Sequence, residues 1–470
     1  TNDSTPHLCA RASSESEGVA AVHVELGEES YSTALPFSER TEAGSEKYRK
    51  REQNTARRVS VFCRRMAGIM NEDGLEGSLR EAAARCGNAR KKKMHVGAAI
   101  MPDYLNQHYD PYSAVLNREF NSVVIEHHMK WKPLLVGGDE GVYDFRPCDK
   151  IVDWAIDKGM EVKGHTLCWH VTTPDFAEDM SASRLREALY RHIRTTMGHF
   201  YGRVGSWDVV NEALCQDCSG RMEDNVFLRK LGPGYVDDCF RVAHQIDPNA
   251  KLIYNDNKGE GAGLPGGRSR KADAMYDMLK GMKERGVPVH GVGLQGHFTA
   301  AGTGMRRTPT PHSVQRQVRR LGELGLSVNI SEMDVRVAGL PEGVDAETAQ
   351  AAIYGDILEA CLTEEAFDGL TLWGFTDLHS WVHNFYEPDS PLPWDKEFQP
   401  KRPVVGAMRD ALLRTRAGSP VLATPEHLWG KDWMVPEPTN DGAGGGGHAD
   451  GGGGEGGAVD APNWNARNDH

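Results

Sequence analysis

The segment Ser206-Trp-Asp-Val-Val-Asn-Glu-Ala213 decides the fold class of this chain. Its apolar, β-branched first half predicts a short buried strand that runs directly into Asn211 and Glu212. The segment Ser327-Val-Asn-Ile-Ser-Glu-Met-Asp334 repeats this arrangement, because its strand runs into Glu332. Polar side chains at the carboxyl ends of strands are typical of α/β proteins, whose parallel strands carry their functional loops at that edge.

Six further runs of the same kind alternate with amphipathic stretches along the chain. The eight strand candidates are His95 to Ile100, Ser122 to Ile125, Glu161 to His165, Ser206 to Val210, Lys251 to Asn255, Gly291 to Gln295, Ser327 to Ser331 and Leu370 to Trp373. The predicted helices include Ala182 to Phe200, Lys271 to Arg285, Val314 to Leu324 and Ala346 to Cys361. Eight strand-then-helix units predict an α/β fold, a (β/α)8 TIM barrel with enlarged loops. An open doubly wound sheet is the structural alternative, but no glycine-rich nucleotide-binding motif follows a strand.

The region before the barrel has a different composition. Residues 1–45 are rich in Ser, Glu, Thr and Gly, which predicts a disordered leader. Residues 46–93 carry charges of both signs and remain ambiguous, with a candidate strand from Arg58 to Cys63 and a candidate short helix from Leu79 to Cys86. Because the chain begins at Thr1 without Met or an apolar leader, it is expected to be processed or a fragment.

The barrel is predicted for residues 94–415 and is followed by a tail, residues 416–470. In that tail, the Gly-rich run from Gly442 to Gly457 is expected to be a flexible linker. The predicted organisation is therefore a barrel with flexible N- and C-terminal extensions.

The charge balance of the chain limits its partners. Its 470 residues include 67 acidic and 54 basic side chains, a formal net charge of −13. This negative charge would repel nucleic acid and anionic lipid, so neither nucleic acid nor a membrane is expected as a partner. No run of 18 apolar residues predicts a membrane-spanning helix. The histidines form no paired metal-binding motif, and no metal or cofactor is expected.

The nine cysteines include one closely spaced pair, Cys215 and Cys218, shortly after Glu212. An odd number cannot all pair within one chain. This pair could form a loop disulfide, remain two free thiols, or serve a redox or metal role. The third alternative is the least favoured, because the flanking residues lack the βαβ context of a redox motif.

Glu212 and Glu332 follow the fourth and seventh predicted strands, which places both carboxyl groups on one rim of the barrel. A retaining glycosidase needs two such groups, about 5 to 5.5 Å apart, one to attack the anomeric carbon and one to protonate the departing oxygen. An ionised nucleophile raises the proton affinity of its neighbour, which keeps that neighbour protonated until the first step is complete. Either glutamate alone would be interpreted as a solvated loop residue. The presence of both glutamates at strand ends favours the interpretation that they are catalytic.

Seven sequence blocks, in order, resemble glycoside hydrolase family 10, the xylanases. Two of them, Trp207-Asp-Val-Val-Asn-Glu-Ala213 and Ile330-Ser-Glu-Met-Asp334, look like its acid/base and nucleophile motifs. The other five are Glu126-His-His-Met-Lys-Trp131, Gly164-His-Thr-Leu-Cys-Trp-His170, Tyr254-Asn-Asp256, Val292-Gly-Leu-Gln-Gly-His297 and Leu372-Trp-Gly-Phe-Thr-Asp-Leu-His-Ser-Trp381. The resemblance covers about residues 94–415. It implies a secreted, cofactor-free endo-β-1,4-xylanase that cleaves xylan by double displacement, with Glu212 as acid/base and Glu332 as nucleophile.

The resemblance also implies which residues hold the substrate. Asn211 would hydrogen-bond the 2-hydroxyl of the sugar being cleaved. Gln295 and His297 would steady the ionised Glu332, with Asp334 as the partner of His297. The remaining implied substrate-binding side chains are Glu126, Lys130, His165, Trp169, Trp373 and Trp381. The tryptophans, His165 and His297 could instead be ordinary buried side chains.

Two positions depart from the family pattern, both on the non-reducing side of the cleft. His127 stands where the family usually has Asn, and Thr172 stands where it usually has Gln. The hydrogen-bond groups of that subsite must therefore differ. Two alternatives to a xylanase follow: a retaining hydrolase with a shifted β-1,4-glycan preference, or a non-catalytic carbohydrate-binding barrel.

Overall fold

The computed structural model describes residues 10–15, 19–26, 29–36 and 77–421, except residues 108, 139, 265–266, 268 and 303–307. The candidate strand from Arg58 to Cys63 and the Gly-rich run after Gly442 lie outside the described residues. The chain divides into two compact units, Thr1–Arg64 and Arg65–His470.

The first unit contains an antiparallel sheet of three strands, in the order β1 (Ala10–Glu15), β2 (Val19–Leu26) and β3 (Glu29–Pro36). The strands pair continuously, from Ala10 opposite Val24 and from Val19 opposite Pro36. This sheet differs from the disorder predicted for the leader. Composition alone gave that prediction, whereas the apolar residues at every second position of β2 have the period of a strand.

The second unit is a closed parallel barrel, which confirms the predicted fold class. Its strands are β4 (His95–Ile100), β5 (Ser122–Ile125), β6 (Glu161–Cys168), β7 (Ser206–Asn211), β8 (Lys251–Asp256), β9 (Gly291–Leu294), β11 (Ser327–Arg336) and β12 (Phe367–Leu372), with the short β10 (His297–Thr299) alongside β11. Each strand pairs in parallel with the next, and β12 returns to β4 through Gly369 opposite His95. Closure gives each of the eight barrel strands a neighbour on both sides, and their carboxyl ends open on one face.

Helices surround the barrel. They are α1 (Leu79–Arg90), α2 (Pro102–Gln107), α3 (Tyr109–Glu119), α4 (Trp131–Leu134), α5 (Arg146–Asp157), α6 (Phe176–Asp179), α7 (Ala182–His199), α8 (Val226–Leu231), α9 (Tyr235–Ile246), α10 (Arg270–Glu284), α11 (Pro311–Glu323), α12 (Ala346–Leu362), α13 (Val382–Phe385) and α14 (Arg402–Arg414). Helix α7 begins after Ser181, whose hydroxyl accepts from Arg184 N–H, and its predicted apolar face is buried. None of the helices in the described residues is long and apolar enough to cross a membrane.

The candidate helix from Leu79 to Cys86 is the first part of α1. Its last residue, Arg90, donates to the carbonyl groups of Leu362 and Glu364, each at 2.6 Å. These carbonyls lie at the end of α12, where backbone acceptors lack helical partners. Arg90 therefore fastens α1 to a helix that follows the seventh barrel strand.

Candidate active site

Glu212 follows β7, where the chain leaves the barrel in a left-handed conformation. Its φ of 54° costs a non-glycine residue roughly 1–2 kcal/mol. The backbone N–H groups of residues 212–214 donate to the consecutive residues Tyr254-Asn-Asp256 at 2.9–3.4 Å. Strand β8 therefore fixes the direction in which the Glu212 side chain leaves the barrel.

The buried carboxylate of Glu212 accepts four hydrogen bonds, two at each oxygen. Oε2 accepts from Trp169 Nε1 and Gln216 Nε2, both at 3.0 Å. Oε1 accepts from Gln295 Nε2 at 2.8 Å and from Asn257 Nδ2 at 3.4 Å. All four donors are uncharged. Gln295 thus contacts Glu212, rather than steadying Glu332 as the resemblance implies.

Glu332 lies within β11, because this strand continues beyond its predicted end. Its Oε1 accepts from Asn255 Nδ2 at 2.6 Å, and its Oε2 lies 3.2 Å from His297 Nε2. Burial by itself raises the pKa of Glu332. The hydrogen bond from His297, with the electrostatic contributions of His165, His297 and Lys163, outweighs burial and lowers the pKa of Glu332 to about 2. The carboxylate is therefore ionised at neutral pH.

His297 is held by Asp334, as the resemblance implies. His297 Nδ1 lies 2.7 Å from Asp334 Oδ2, and Trp381 Nε1 donates to the same oxygen at 2.8 Å. Burial lowers the pKa of His297, but the charge of the buried Asp334 and hydrogen bonds to Asp334 and Glu332 raise it well above its usual range. The imidazole is a charged donor to Glu332, which makes that hydrogen bond stronger than a neutral one.

Asn255 links Glu332 to Asn211 and is absent from the sequence-predicted site. Its Nδ2 donates to Glu332 Oε1 and, at 2.8 Å, to Asn211 Oδ1, while its Oδ1 accepts from Ser331 at 2.5 Å. Gly293 makes room for this amide, since a Cβ there would lie 2.1 Å from Asn255 Oδ1. The position of Asn255 inside the block Tyr254-Asn-Asp256 is the sequence signal that could identify it.

Asn211 and His165 each keep one polar nitrogen for a ligand. Asn211 Oδ1 accepts from both Asn255 and Gln295, which sets the orientation of the amide. His165 Nδ1 lies 2.9 Å from Asp208 Oδ2. The Asn211 Nδ2 and His165 Nε2 atoms have no protein partner in the part of the chain that the structure describes. Both are therefore suited to bind sugar hydroxyls.

Glu126 and Lys130 are both buried, and Lys130 lies beside two tryptophans. The Lys130 Nζ atom lies 4.7 Å from the ring centroid of Trp169 and 5.9 Å from that of Trp373. Burial lowers the pKa of Lys130 to about 8, although the negative charges of Glu332, Glu126 and Glu212 act to raise it. Burial also raises the pKa of Glu126 to about 7 despite Lys130. Perturbed groups of this kind cluster at binding and catalytic sites.

The two departures from the family pattern lie at the ends of neighbouring strands. His127 is half-buried just after β5, and its ring centroid is 5.8 Å from that of His128. Burial, with Lys130 and His128, lowers the pKa of His127 to about 3. Thr172 is buried in the short helix His170–Thr172 that follows β6. At neutral pH this side of the cleft presents a neutral imidazole.

Cys215 and Cys218 are both free thiols, which agrees with the second alternative for this pair. Cys215 Sγ donates to Met222 O at 3.1 Å, and Cys218 Sγ donates to Gln216 O at 3.7 Å. Among the described residues, no three His, Cys, Asp or Glu side chains are grouped so that they could hold a metal ion.

A buried ion pair lies behind Glu212, and the sequence reasoning did not identify it. Lys271 Nζ lies 2.7 Å from Asp256 Oδ1, with both side chains fully buried. Lys271 also donates to Asn257 Oδ1 at 3.1 Å, which turns the amide nitrogen of Asn257 toward Glu212. Its sequence signal is weak, because a lysine in the first turn of α10 has the pattern of an ordinary surface residue.

This barrel, with two buried glutamates from different strands in one hydrogen-bond network, defines a glycoside hydrolase of the two-carboxylate class. The chain belongs to glycosyl hydrolase family 10, whose family model matches residues 86–410.

Three similar proteins match this chain over most of their own length. The β-1,4-xylanase of Dictyoglomus thermophilum is 34% identical over 327 residues, which cover 65% of this chain and 85% of the relative. Endo-1,4-β-xylanase B of Thermotoga neapolitana is 34% identical over 69% of this chain and 90% of its own. The crystal structure of xylanase 10B from Thermotoga petrophila RKU-1 in complex with xylobiose has a TM-score of 0.65 and 34% identity, covering 72% and 98% of the two chains.

Proposed function

We propose that this chain is an endo-β-1,4-xylanase that hydrolyses xylan with retention of configuration. The difference between the two carboxyl environments supports the proposal. Glu332 is bound by the charged imidazole of His297, whereas the donors around Glu212 are all neutral. Double displacement needs one carboxylate that stays ionised and a second carboxyl that exchanges its proton with the substrate.

In the first step Glu332 attacks the anomeric carbon as the bond to the leaving sugar breaks. Glu212 gives its proton to the departing oxygen and becomes a carboxylate. The hydrogen bonds to Glu212 from Trp169 and Gln295 strengthen as this negative charge develops. The amide nitrogen of Asn211 is available to bind the 2-hydroxyl of the same sugar, a contact that contributes several kcal/mol in glycosidase transition states, by rough estimate.

In the second step water attacks the glycosyl ester on Glu332. Glu212, now ionised, removes a proton from that water, and Glu332 leaves as a carboxylate. Its charge is again stabilised by His297. The two steps invert the anomeric carbon twice, so the product keeps the β configuration. No cofactor is needed for either step.

The test is hydrolysis of xylan, mixed-linkage glucan, mannan and cellulose, with analysis of the released oligosaccharides. We expect short xylo-oligosaccharides from xylan as the main products. Glu332→Ala should abolish hydrolysis, and Glu212→Ala should lower hydrolysis of xylan by about 10²- to 10⁴-fold. Added azide should restore turnover of an aryl xylobioside by Glu212→Ala, because a small anion can attack the glycosyl ester without a general base. Normal xylan hydrolysis by either variant would contradict the role of that glutamate.

A retaining hydrolase with a shifted preference among β-1,4-glycans is the second candidate. It is favoured by His127 and Thr172, which replace the amide groups usual at one subsite of the family. Faster release of sugars from mixed-linkage glucan or mannan than from xylan would support it. We also propose an extracellular location, since a polymeric substrate must be cut before uptake; fractionation of the source culture tests this.

A further inference from the structure

The Glu212 carboxylate has all of its acceptor positions occupied in the free protein. A carboxylate offers about four lone-pair positions, and Glu212 accepts four N–H groups at 2.8–3.4 Å. An acid/base must become neutral, give up its proton and become charged again within one catalytic cycle. Donors that bind the anion better than the acid therefore favour proton release.

Two of the four donors are fixed in orientation by other groups, and a third cannot exchange its donor for an acceptor. The Trp169 indole offers only a donor. Gln295 Nε2 also lies 3.4 Å from Asn211 Oδ1, whose orientation is set by Asn255. The amide oxygen of Asn257 accepts from the buried Lys271. Rotating the Gln295 amide would therefore place its oxygen against the oxygens of Asn211 and Glu212. Rotating the Asn257 amide would place its N–H group against the ammonium group of Lys271.

Gln216 differs from these donors, because other residues hold its backbone in place but not the orientation of its side-chain amide. Its carbonyl oxygen accepts from Lys258 Nζ at 2.9 Å. The surrounding loop is closed by Cys215 N–H to Arg221 O at 2.8 Å and by a bridge between Leu214 and Met222. The half-buried side chain donates to Glu212 Oε2, and its amide oxygen has no partner among the described residues. The Gln216 amide is thus held near Glu212 but remains able to rotate.

We propose that Gln216 is a positioning residue that promotes proton release from the acid/base Glu212 in the first catalytic step. This inference rests on the proposed function. Its N–H group binds the carboxylate that forms as the proton passes to the glycosidic oxygen, while the bond from that oxygen to the anomeric carbon breaks. When Glu212 is protonated, rotation of the amide can present its oxygen instead, so the side chain follows the protonation state of the acid/base.

The first test uses the dependence of rate on the leaving group. Phenol leaves poorly and needs the proton of the general acid, whereas 2,4-dinitrophenol leaves without it. Gln216→Met keeps the length of the side chain and removes both hydrogen-bonding groups. We expect kcat/KM for phenyl β-xylobioside to fall about tenfold, with less than about a twofold change for the dinitrophenyl substrate. Gln399→Met is the matched control, because Gln399 is exposed and donates to Glu397 O instead.

The second test uses the pH profile of kcat/KM on the phenyl substrate. Gln216→Glu places a second carboxyl beside Glu212, and a like charge favours the protonated acid. The alkaline limb of the profile should therefore move up by about one pH unit, while Gln399→Glu leaves it unchanged. Equal losses on both aryl substrates, or an unmoved alkaline limb, would overturn the inference. If the parent cleaves no xylobioside or xylan, the proposed function itself fails.

Discussion

Replacing Asp334 by Asn should remove one negative charge behind the nucleophile while keeping its hydrogen bonds. His297 Nδ1 and Trp381 Nε1 both contact the same oxygen of Asp334, at 2.7 and 2.8 Å. An amide oxygen in that place can accept from both. The other oxygen has no hydrogen-bond partner within the described residues. The amide nitrogen would take its place unpaired, so we expect a loss of stability of about 1–3 kcal/mol.

The expected effect on activity comes from His297. The charge of Asp334 helps to raise the pKa of His297 well above its usual range, so in the parent His297 stays charged through neutral pH. An adjacent opposite charge typically shifts a pKa by about 1–3 units. Its removal should bring the pKa of His297 down into the measurable range. Above that pH, Glu332 loses a charge-assisted hydrogen bond worth about 1.5–3 kcal/mol, which corresponds to roughly a 10- to 160-fold fall in kcat/KM.

The sign follows from which form is active. Protonated His297 supports catalysis, so the variant should lose activity as pH rises through the new pKa and approach parental activity below it. The assay is kcat/KM on an aryl xylobioside between about pH 4 and 9, with ¹⁵N NMR of the imidazole to follow His297 directly. Circular dichroism at each pH controls for unfolding. A folded variant whose profile keeps the parental shape would refute the assignment of His297 as a charged donor to Glu332.

Three further outcomes are expected. Burial, with Lys130 and His128, lowers the pKa of His127 to about 3, so His127→Asn exchanges one neutral group for another. This substitution should change kcat/KM on an aryl xylobioside a few-fold, which corresponds to about 0.5–1.5 kcal/mol. An equal change on the single-sugar xyloside would contradict the subsite assignment. A chain of residues 46–439 should keep full activity, and a large drop with the barrel intact would argue otherwise. NMR of the hydrolysis products should detect the β-anomer first. In an experimental structure, the carboxyl groups of Glu212 and Glu332 should lie about 5 to 5.5 Å apart, and a separation of about 9 Å would indicate inversion.

The strand pattern could be predicted because it depends on neighbours in sequence. The runs from His95 to Ile100 and from Ser122 to Ile125 have the observed bounds. Strand ends were predicted less accurately, since β11 continues five residues past its predicted end at Ser331, to Arg336. Pairing with β10, from His297 opposite Asp334, supports this extension. Such pairing depends on a distant segment that periodicity cannot reveal.

Within the site too, local features could be predicted from the sequence, whereas contacts between distant segments could not. Placing Glu212 directly after the fourth strand required only the apolar, β-branched run before it, whereas Glu332 lies inside β11. Which glutamate Gln295 contacts depends on distances that only the folded structure gives. Gln295 contacts Glu212, which is 83 residues away in sequence. Asn255, which lies 77 residues from Glu332, was missed for the same reason.

The sequence by itself determined the barrel and predicted Glu212 and Glu332 as its catalytic carboxyl groups, because an apolar, β-branched run and the polar residues that follow it are local properties of a single segment. Tertiary structure decided how those groups differ. His297 reaches Glu332 from β10, while Gln216 and Asn257 reach Glu212 from two different loops. A hydrogen bond or charge acts only over a few ångströms. The hydrogen-bond partners of each carboxyl are therefore set by which distant segments the closed barrel brings beside it.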